Sequence, residues 1–322
     1  MDVGGTETKA ALITSTPTGT PPTAPNTAPT SSSTPTGTTT GSTTGTPTAP
    51  VVLKQQRRPT RPTGDAVIED VSALVEDLRT ATPHPVDAIG LVVPGIVDEP
   101  TGTGVYSANL GWRDYPFTKS LEAATNTRVA FGHDVRAGGL AELRLGSARD
   151  LRNAVIMPIG TGIAAALVID GRVTDAPGEV GHVDVGHPDP CGCGQTGCVE
   201  ARASSAAIAR RYAQRAKVPV NGAAEVAERL RAGDPDAKVV WDEAVDALAR
   251  GILLVAALLG PEAVVLGGGL ALAGPLLTDP LGQRLDELVT FQRRPELRPA
   301  ALGDEAGCLG AALLAIDMLE ET

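Results

Sequence analysis

The densest chemistry in the chain lies between positions 179 and 200, where Glu179-Val180-Gly181-His182 precedes Cys191-Gly192-Cys193-Gly194-Gln195-Thr196-Gly197-Cys198 and then Glu200. One imidazole and three thiolates complete a tetrahedral ligand set, the usual signature of a structural zinc ion, and the glycines between them relieve crowding in a tight metal loop. His182 is the preferred fourth ligand, with His187 as its competitor on the short side of Cys191. Three thiols so close together would be an oxidation liability without a metal. Cys308 stands far from the other cysteines, so the pattern suits a metal better than a disulfide framework.

A second group combines glycine-rich turns with single carboxylates or hydroxyls. Asp2-Val3-Gly4-Gly5-Thr6 runs from a strand end into glycines, which let the backbone approach a phosphate, while the Thr6 hydroxyl and the amides can donate to its oxygens. Asp2 can hold a magnesium ion, directly or through water. Gly160-Thr161-Gly162 offers a second such turn, and Gly267-Gly268-Gly269 leaves a flat surface for the adenosine part of a nucleotide. Each of the three, taken alone, reads more simply as a tight turn. Asp134 follows a short apolar run at the expected start of a helix, where a carboxylate can accept a hydroxyl proton or simply cap the helix.

These residues need elements to position them. Lys9 to Thr14 and Val51 to Arg57 read as two strands of a meander, separated by positions 15 to 50, almost wholly Thr, Pro, Ser, Gly and Ala. That stretch cannot bury enough apolar surface to offset its ordering entropy, so it is predicted to be a disordered insertion at a hairpin tip. Val67, Val71, Leu74, Val75 and Leu78 share one helical face, and Ala88 to Val93 reads as a buried strand ending at Pro94-Gly95. Val129 to Gly132 is a strand and Val135 to Leu145 a helix; Ala154 to Ile159 and Ala164 to Ile169 form a hairpin around Gly160-Thr161-Gly162. Helices broken near Pro219 and Pro235 follow, then the strand Ala263 to Leu266 and a last helix after Gly303-Asp304. The alternation favours an α/β architecture in two lobes.

Bulk properties narrow the function. The 322 residues suffice for two domains, 42% hydrophobic content is ordinary for a globular core, and a net charge of −11 argues against extended phosphate-backbone binding. Nucleic acid is therefore not an expected partner, and the run Arg57, Arg58 and Arg61 reads as a solvated strand end. Aromatic residues are only 2%, so ligand recognition rests on hydrogen bonds rather than stacking. No apolar stretch approaches the roughly 18 residues of a membrane span and no signal-peptide layout opens the chain, which makes the cytoplasm the default address and a membrane an unexpected partner.

Asp2-Val3-Gly4-Gly5-Thr6, Pro94-Gly95-Ile96-Val97-Asp98, Ala108-Asn109-Leu110-Gly111-Trp112, Asp134, Gly160-Thr161-Gly162, the segment from Glu179 to Glu200, Gly267-Gly268-Gly269 and Gly303 to Gly310 follow one another in an order that resembles the ROK family of sugar kinases and sugar-responsive repressors. The resemblance spans everything outside the Thr/Pro-rich insertion. It implies a two-lobed, actin-like (ribonuclease H-like) ATPase fold with a central cleft that holds ATP, its Mg2+ and a hexose, glucose first. It implies a small lobe at 1–125, completed by a C-terminal helix at 305–322, and a large lobe at 126–304 carrying the zinc loop. By the same resemblance Asp134 is the base that deprotonates the sugar hydroxyl, and Asn109, His133, Glu179, His182 and Glu200 face the sugar. Asp2, Gly4, Gly5, Thr6, Gly160, Thr161, Gly162, Gly267, Gly268 and Gly269 face the nucleotide; His182, Cys191, Cys193 and Cys198 hold structural Zn2+.

The chain departs from the family pattern in two places that bear on substrate. Family kinases usually carry Asn directly before the catalytic Asp, where this chain has His133, and the usual glycine-rich continuation of the second phosphate loop is Ile163-Ala164-Ala165-Ala166. Alternatives are another hexose or an N-acetylhexosamine as substrate, polyphosphate as donor, and a catalytically weakened sugar-binding protein. A repressor would carry a DNA-binding helical module ahead of the sugar domain, whereas the first glycine-rich turn here begins at Asp2. The resemblance also implies a homo-oligomer, a dimer or tetramer.

Overall fold

The structure is a computed structural model that describes residues 1–14 and 50–321. The expected insertion at 15–50 lies, apart from its last residue, outside the described residues. In chain order the elements are β1 (Asp2–Val3), β2 (Glu7–Thr14), β3 (Val51–Pro59), α1 (Gly64–Arg79), β4 (Ala88–Val93), β5 (Ile96–Asp98), β6 (Thr103–Tyr106), β7 (Arg113–Tyr115), α2 (Phe117–Thr125), β8 (Arg128–His133) and α3 (Asp134–Arg144). Then follow β9 (Ala154–Pro158), β10 (Ala166–Ile169), β11 (Arg172–Val173), α4 (Val199–Ala203), α5 (Ser205–Ala216), α6 (Ala223–Arg231), α7 (Pro235–Leu259), β12 (Ala263–Gly267), α8 (Gly268–Ala271), α9 (Pro275–Leu288), β13 (Glu296–Pro299) and α10 (Ala306–Glu320).

Two five-stranded sheets repeat one topology among the described residues. The first runs β3-β2-β1-β4-β8 and the second β11-β10-β9-β12-β13. In each, the first three strands form an antiparallel meander, and the last two run parallel to the meander's first strand. Each sheet has its own hydrophobic core, one built around Val71, Leu74, Leu91 and Phe117, the other around Met157, Leu248, Ile252 and Leu266. A small sheet, β5-β6-β7, stands beside the first.

Local chemistry explains the element ends that matter for the site. β4 is an almost unbroken apolar run, as a strand covered on both faces must be. Gly90 lets α10 approach β4 closely, because a Cβ there would stand 1.7 Å from the Ala311 carbonyl oxygen. Thr63 caps α1 by accepting from the Ala66 N–H, and Asp234 caps α7 by accepting from Asp236 and Ala237, with Pro235 in the first turn. β8 lies beyond position 125 yet pairs with β4 from Arg128 to His133, so the strand that delivers Asp134 is part of the first sheet. The strands β5, β6, β7, β11 and β13 were not predicted individually; they are short, and most alternate little between apolar and polar residues. The basic run on and after β3 is ion-paired, Arg57 with Glu7 and Asp304, Arg58 with Asp77, and Arg61 with Asp70.

Candidate active site and metal-binding cluster

Asp134 sits where β8 stops and α3 begins. His133 holds the N-cap position without a side-chain cap bond, so Asp134 is the first helical residue rather than the cap. Its Oδ1 accepts from the Val135 N–H at 2.7 Å and stands 3.5 Å from His133 Nε2. Burial pushes the Asp134 carboxyl up to about 6, against the lowering influence of the Val135 amide and the Arg136 charge, and Glu179 adds a like-charge push in the same direction. Asp2 is raised as well, by burial first and then by the negative charge of Asp134, which places two carboxyl groups within electrostatic reach at the end of the first sheet. The N-terminal turn of α10 closes over Asp2: a Cβ on Gly307 would fall 2.3 Å from Asp2 Oδ2.

The junction is braced by Glu99, a residue that sequence reasoning missed. Glu99 Oε1 accepts from the His133 backbone N–H at 3.1 Å and from Arg136 Nη2 at 2.8 Å, tying β8, α3 and the segment after β5 together. The signal was its place directly after Pro94-Gly95-Ile96-Val97-Asp98. The His133 ring is buried, which together with the Arg136 charge lowers it to about 4, and its Nδ1 has no hydrogen-bond partner in the structure. It is therefore a neutral imidazole at neutral pH, with one polar atom uncommitted.

Glu179 influences both Asp134 and His133, so the structure brings these three together. His182 links Glu179 to the cysteine cluster. Its Nε2 lies 3.9 Å from Glu179 Oε2, while Nδ1 lies 3.7 Å from Cys191 Sγ. The ligand atoms of His182, Cys191, Cys193 and Cys198 all fall within 4.8 Å of one another. Cys193 and Cys198 sulfurs are 3.7 Å apart, which matches the edge of about 3.8 Å that two thiolates at roughly 2.3 Å from a tetrahedral ion must span. The donor set and spacing thus fit a tetrahedral N/S-bound divalent cation. His187 is otherwise engaged, with Nε2 on the Cys198 carbonyl at 3.0 Å and Nδ1 accepting from the Asp189 N–H at 3.3 Å. Arg202 of α4 holds Asp189 at 2.6 Å, and Gly197 adopts φ of 88°, where a Cβ would collide with Asp184.

Glu200 turns toward the second glycine-rich loop. Its Oε2 accepts from the Ile163 N–H at 2.8 Å, and a Cβ on Gly162 would lie 2.7 Å from the same oxygen. The Gly160 carbonyl accepts from Ser205 at 2.8 Å, so the loop is anchored at the start of α5, with Thr161 exposed at its tip. Gly267-Gly268-Gly269 abuts the base of this loop: Ile159 donates to the Gly267 carbonyl at 2.9 Å and Leu270 to the Ile159 carbonyl at 3.1 Å. Gly268 has φ of 75°, and a Cβ there would meet the Ile159 oxygen at 2.5 Å. In the first lobe Gly4 closes a turn onto the Glu7 carbonyl at 2.9 Å, leaving Gly5 and Thr6 exposed. Cβ atoms on Gly5, Gly160 and Gly269 would meet nothing within 4 Å, so all three loops present bare backbone to open space. Asn109 stays exposed on the turn closed by Gly111 donating to Ser107 at 2.9 Å, and no hydrogen bond or ion pair among the described residues ties it to Asp134.

Comparison with known proteins agrees with this layout. The family model described as "ROK family" matches residues 37–318. A glucokinase of Halalkalibacterium halodurans is 34% identical over 248 residues, covering 70% of this chain and 75% of that protein. The crystal structure of a ROK hexokinase from Thermus thermophilus superposes with a TM-score of 0.74 at 32% identity, covering 84% of this chain and 93% of that one. A ROK family glucokinase from Streptomyces griseus, crystallised with glucose and AMPPNP, gives 0.72 at 27% identity, covering 83% and 93%. The fold is the two-lobed α/β actin-like ATPase fold, whose paired five-stranded sheets are those described above. No helix among the described residues is long and apolar enough to cross a membrane. The duplicated sheets, the buried carboxylate at a strand-to-helix junction and the profile match lead to one conclusion: this chain belongs to the ROK family.

Proposed function

We propose that this protein is an ATP-dependent sugar kinase that converts glucose to glucose 6-phosphate, with Asp134 as the base. The observation that carries the reading is the placement of the Asp134 carboxyl, buried beside neutral His133 and within reach of Glu179, in a chain whose relatives include named glucokinases. A hexose held by Glu179, His133 and His182 would present its 6-hydroxyl to Asp134. The hydroxyl proton passes to the carboxylate as its oxygen forms a bond to the γ-phosphorus, and the bond between that phosphorus and the bridging oxygen of ADP breaks. Charge at the transferring group is met by backbone amides of the loops at Gly4-Gly5-Thr6 and Gly160-Thr161-Gly162, with Gly267-Gly268-Gly269 against the adenosine and Asp2 toward Mg2+. Glu200 supports the second loop from the sugar side, and Asn109 closes over the sugar from the first lobe.

In this reading the cysteine cluster holds structural Zn2+, bound by His182, Cys191, Cys193 and Cys198, which stiffens the wall that carries Glu179. A reducing, cytoplasmic setting keeps such thiolates available. The lobes divide after β8 rather than at position 125, with α10 returning to the first lobe. Leu258, Leu272 and Phe291 are strongly exposed apolar side chains, which supports a homo-oligomer. His133 at the position where family kinases usually have Asn favours one alternative, a sugar-binding protein with weakened turnover or a shifted hexose preference. A coupled assay with ATP and Mg2+ against glucose, mannose, fructose, N-acetylmannosamine and N-acetylglucosamine tests this. The expected result is turnover highest with glucose and abolished without ATP; turnover with none of these sugars, or only with polyphosphate, contradicts it.

A further inference from the structure

Arg136, Arg144, Arg149 and Arg172 lie on three different stretches of a chain whose net charge is −11, yet the fold brings them to one place. α3 contributes Arg136 and Arg144, the loop after it Arg149, and the β10-β11 hairpin Arg172. They border a cavity of about 540 Å3 on the flank of α3. The hairpin turns through Asp170 and Gly171, whose φ angles of 51° and 77° are both positive, as a two-residue turn that follows the twist of its strands requires, so Arg172 is held in register opposite Ile169. Half-buried Leu140, Leu143, Val173 and Leu314 give the cavity an apolar floor, with Leu314 arriving from α10. None of the residues placed at the sugar or at the nucleotide lines it.

Charge decides what such a cavity takes. Arg144 is engaged by Asp317 in two hydrogen bonds of 2.6 and 2.8 Å, and Arg136 by Glu99. Arg149 and Arg172 are exposed and form no side-chain hydrogen bond or ion pair among the described residues, and Asp175 is the one lining carboxylate in the same condition. Two unpaired guanidiniums against one unpaired carboxylate leave the rim cationic, and the guanidinium fork matches the oxygens of a phosphate. A neutral sugar would leave those forks unused, and a bare inorganic anion would leave the leucines in water.

The cavity also reaches the back of the junction between β8 and α3. Arg136 lines it and donates to Glu99 Oε1 at 2.8 Å, the same oxygen that accepts from the His133 N–H at 3.1 Å. A Cβ on Gly132 would fall 2.7 Å from Leu314 Cδ1 and 3.6 Å from Glu99 Oε1, so two lining residues stand against β8 immediately before His133. An anion drawn to Arg136 competes with Glu99 for its guanidinium and loosens that brace. We propose that this cavity is a regulatory site for a small organic phosphate with an apolar body, its phosphate held by Arg149 and Arg172 and drawing on Arg136, and that its occupancy is passed to the sugar through Glu99 and His133. The binding part stands apart from the kinase assignment, whereas the coupling part rests on it.

Phenyl phosphate is the probe, titrated calorimetrically into the full chain saturated with glucose and AMPPNP, so that the sugar and nucleotide loops are filled. About one probe per chain is expected to bind with Kd below about 1 mM, about tenfold or more tighter than inorganic phosphate, and Arg149→Ala combined with Arg172→Ala should weaken it by about tenfold or more. Arg152→Ala, which removes a neighbouring arginine paired with Asp170 outside the cavity, should leave it unchanged. In the glucose-phosphorylation assay, saturating phenyl phosphate is expected to raise KM for glucose about fivefold in the parent and not in the double variant. No binding by the parent, equal binding by the parent and the double variant, or equal affinity for inorganic phosphate overturns the site. Binding lost in the double variant with KM for glucose unmoved in an active enzyme overturns the coupling alone. An inactive protein that still binds the probe at these arginines overturns the kinase reading, and the coupling with it, but not the site.

Discussion

His182 Nε2 faces Glu179 Oε2 at 3.9 Å while the opposite ring nitrogen faces the Cys191 thiol, so one imidazole ties the cysteine cluster to a carboxylate whose charge reaches Asp134. Loss of the metal should therefore be felt at the sugar rather than at the nucleotide. Elemental analysis is expected to find about one zinc per chain. Cys198→Ser, or prolonged chelation, should remove it, lower Tm and raise KM for glucose by about tenfold or more, with KM for ATP changed much less. Full activity in a protein free of zinc would contradict this link.

The acid limb of the pH profile follows from the two buried carboxyls. Asp134 must be ionised to accept a proton, and burial holds it near 6, so kcat/KM is expected to fall about tenfold per pH unit below that value. The Asp134 charge helps to raise Asp2, so the two carboxyls are expected to sense one another. Asp2→Asn removes a like charge and should move the midpoint down, which a pH series of initial rates will show even where the variant's maximal rate is lower. An unchanged midpoint would mean the two carboxyls do not sense one another.

Stability carries the opposite sign. A carboxyl whose folded value is raised favours the folded state at a pH below its unfolded value of about 3.9, and that contribution is lost as pH rises through about 6. Asp134→Asn is accordingly expected to raise Tm at pH 7 by about 2–4 °C, corresponding to about 1 kcal/mol once the solvent-facing side of the group is allowed for. A fall in Tm would show that the carboxylate stabilises the fold.

On the proposed reading His133 contacts the sugar and takes no part in proton transfer. Its burial and lowered value make it neutral from pH 5 upward, so its contribution to sugar binding should not vary between pH 5 and 8. His133→Ala is expected to raise KM for glucose about 5–10-fold with a smaller loss in kcat, as fits one neutral hydrogen bond, and His133→Asn should recover most of it. Equal losses in kcat and kcat/KM would instead mark a transition-state role.

The glycine pair at 268 and 269 distinguishes folding from nucleotide contact. Gly268 combines a positive φ with a backbone oxygen 2.5 Å from any Cβ, whereas Gly269 faces open space. Gly268→Ala should lower Tm by several degrees. Gly269→Ala should leave Tm unchanged and raise KM for ATP. Identical thermal and kinetic effects from the two would remove the distinction.

Legibility in the sequence followed how local each signal was. β4 was predicted with its observed bounds because Ala88 to Val93 is a continuous apolar run closed by Pro94-Gly95, and the hairpin around Gly160-Thr161-Gly162 was marked by flanking apolar segments. The grouping of His182 with Cys191, Cys193 and Cys198 was legible because the four donors fall within a short span of sequence. The closeness of Asp2 to Asp134 and the Glu99 brace were not visible, since both depend on parallel pairing between strands far apart in sequence. The same reason put the expected lobe boundary at 125, although β8 completes the first sheet. The choice between His182 and His187 needed the second ring nitrogen of each, which spacing does not encode.

The central claim is that the carboxylate at position 134 takes the proton from the sugar. Glucose phosphorylation by the Asp134→Asn variant, measured alongside calorimetric glucose binding, tests it most directly. The account requires turnover to fall by about a thousandfold or more while glucose affinity stays within a few-fold of the parent. Turnover retained within tenfold of the parent would contradict it.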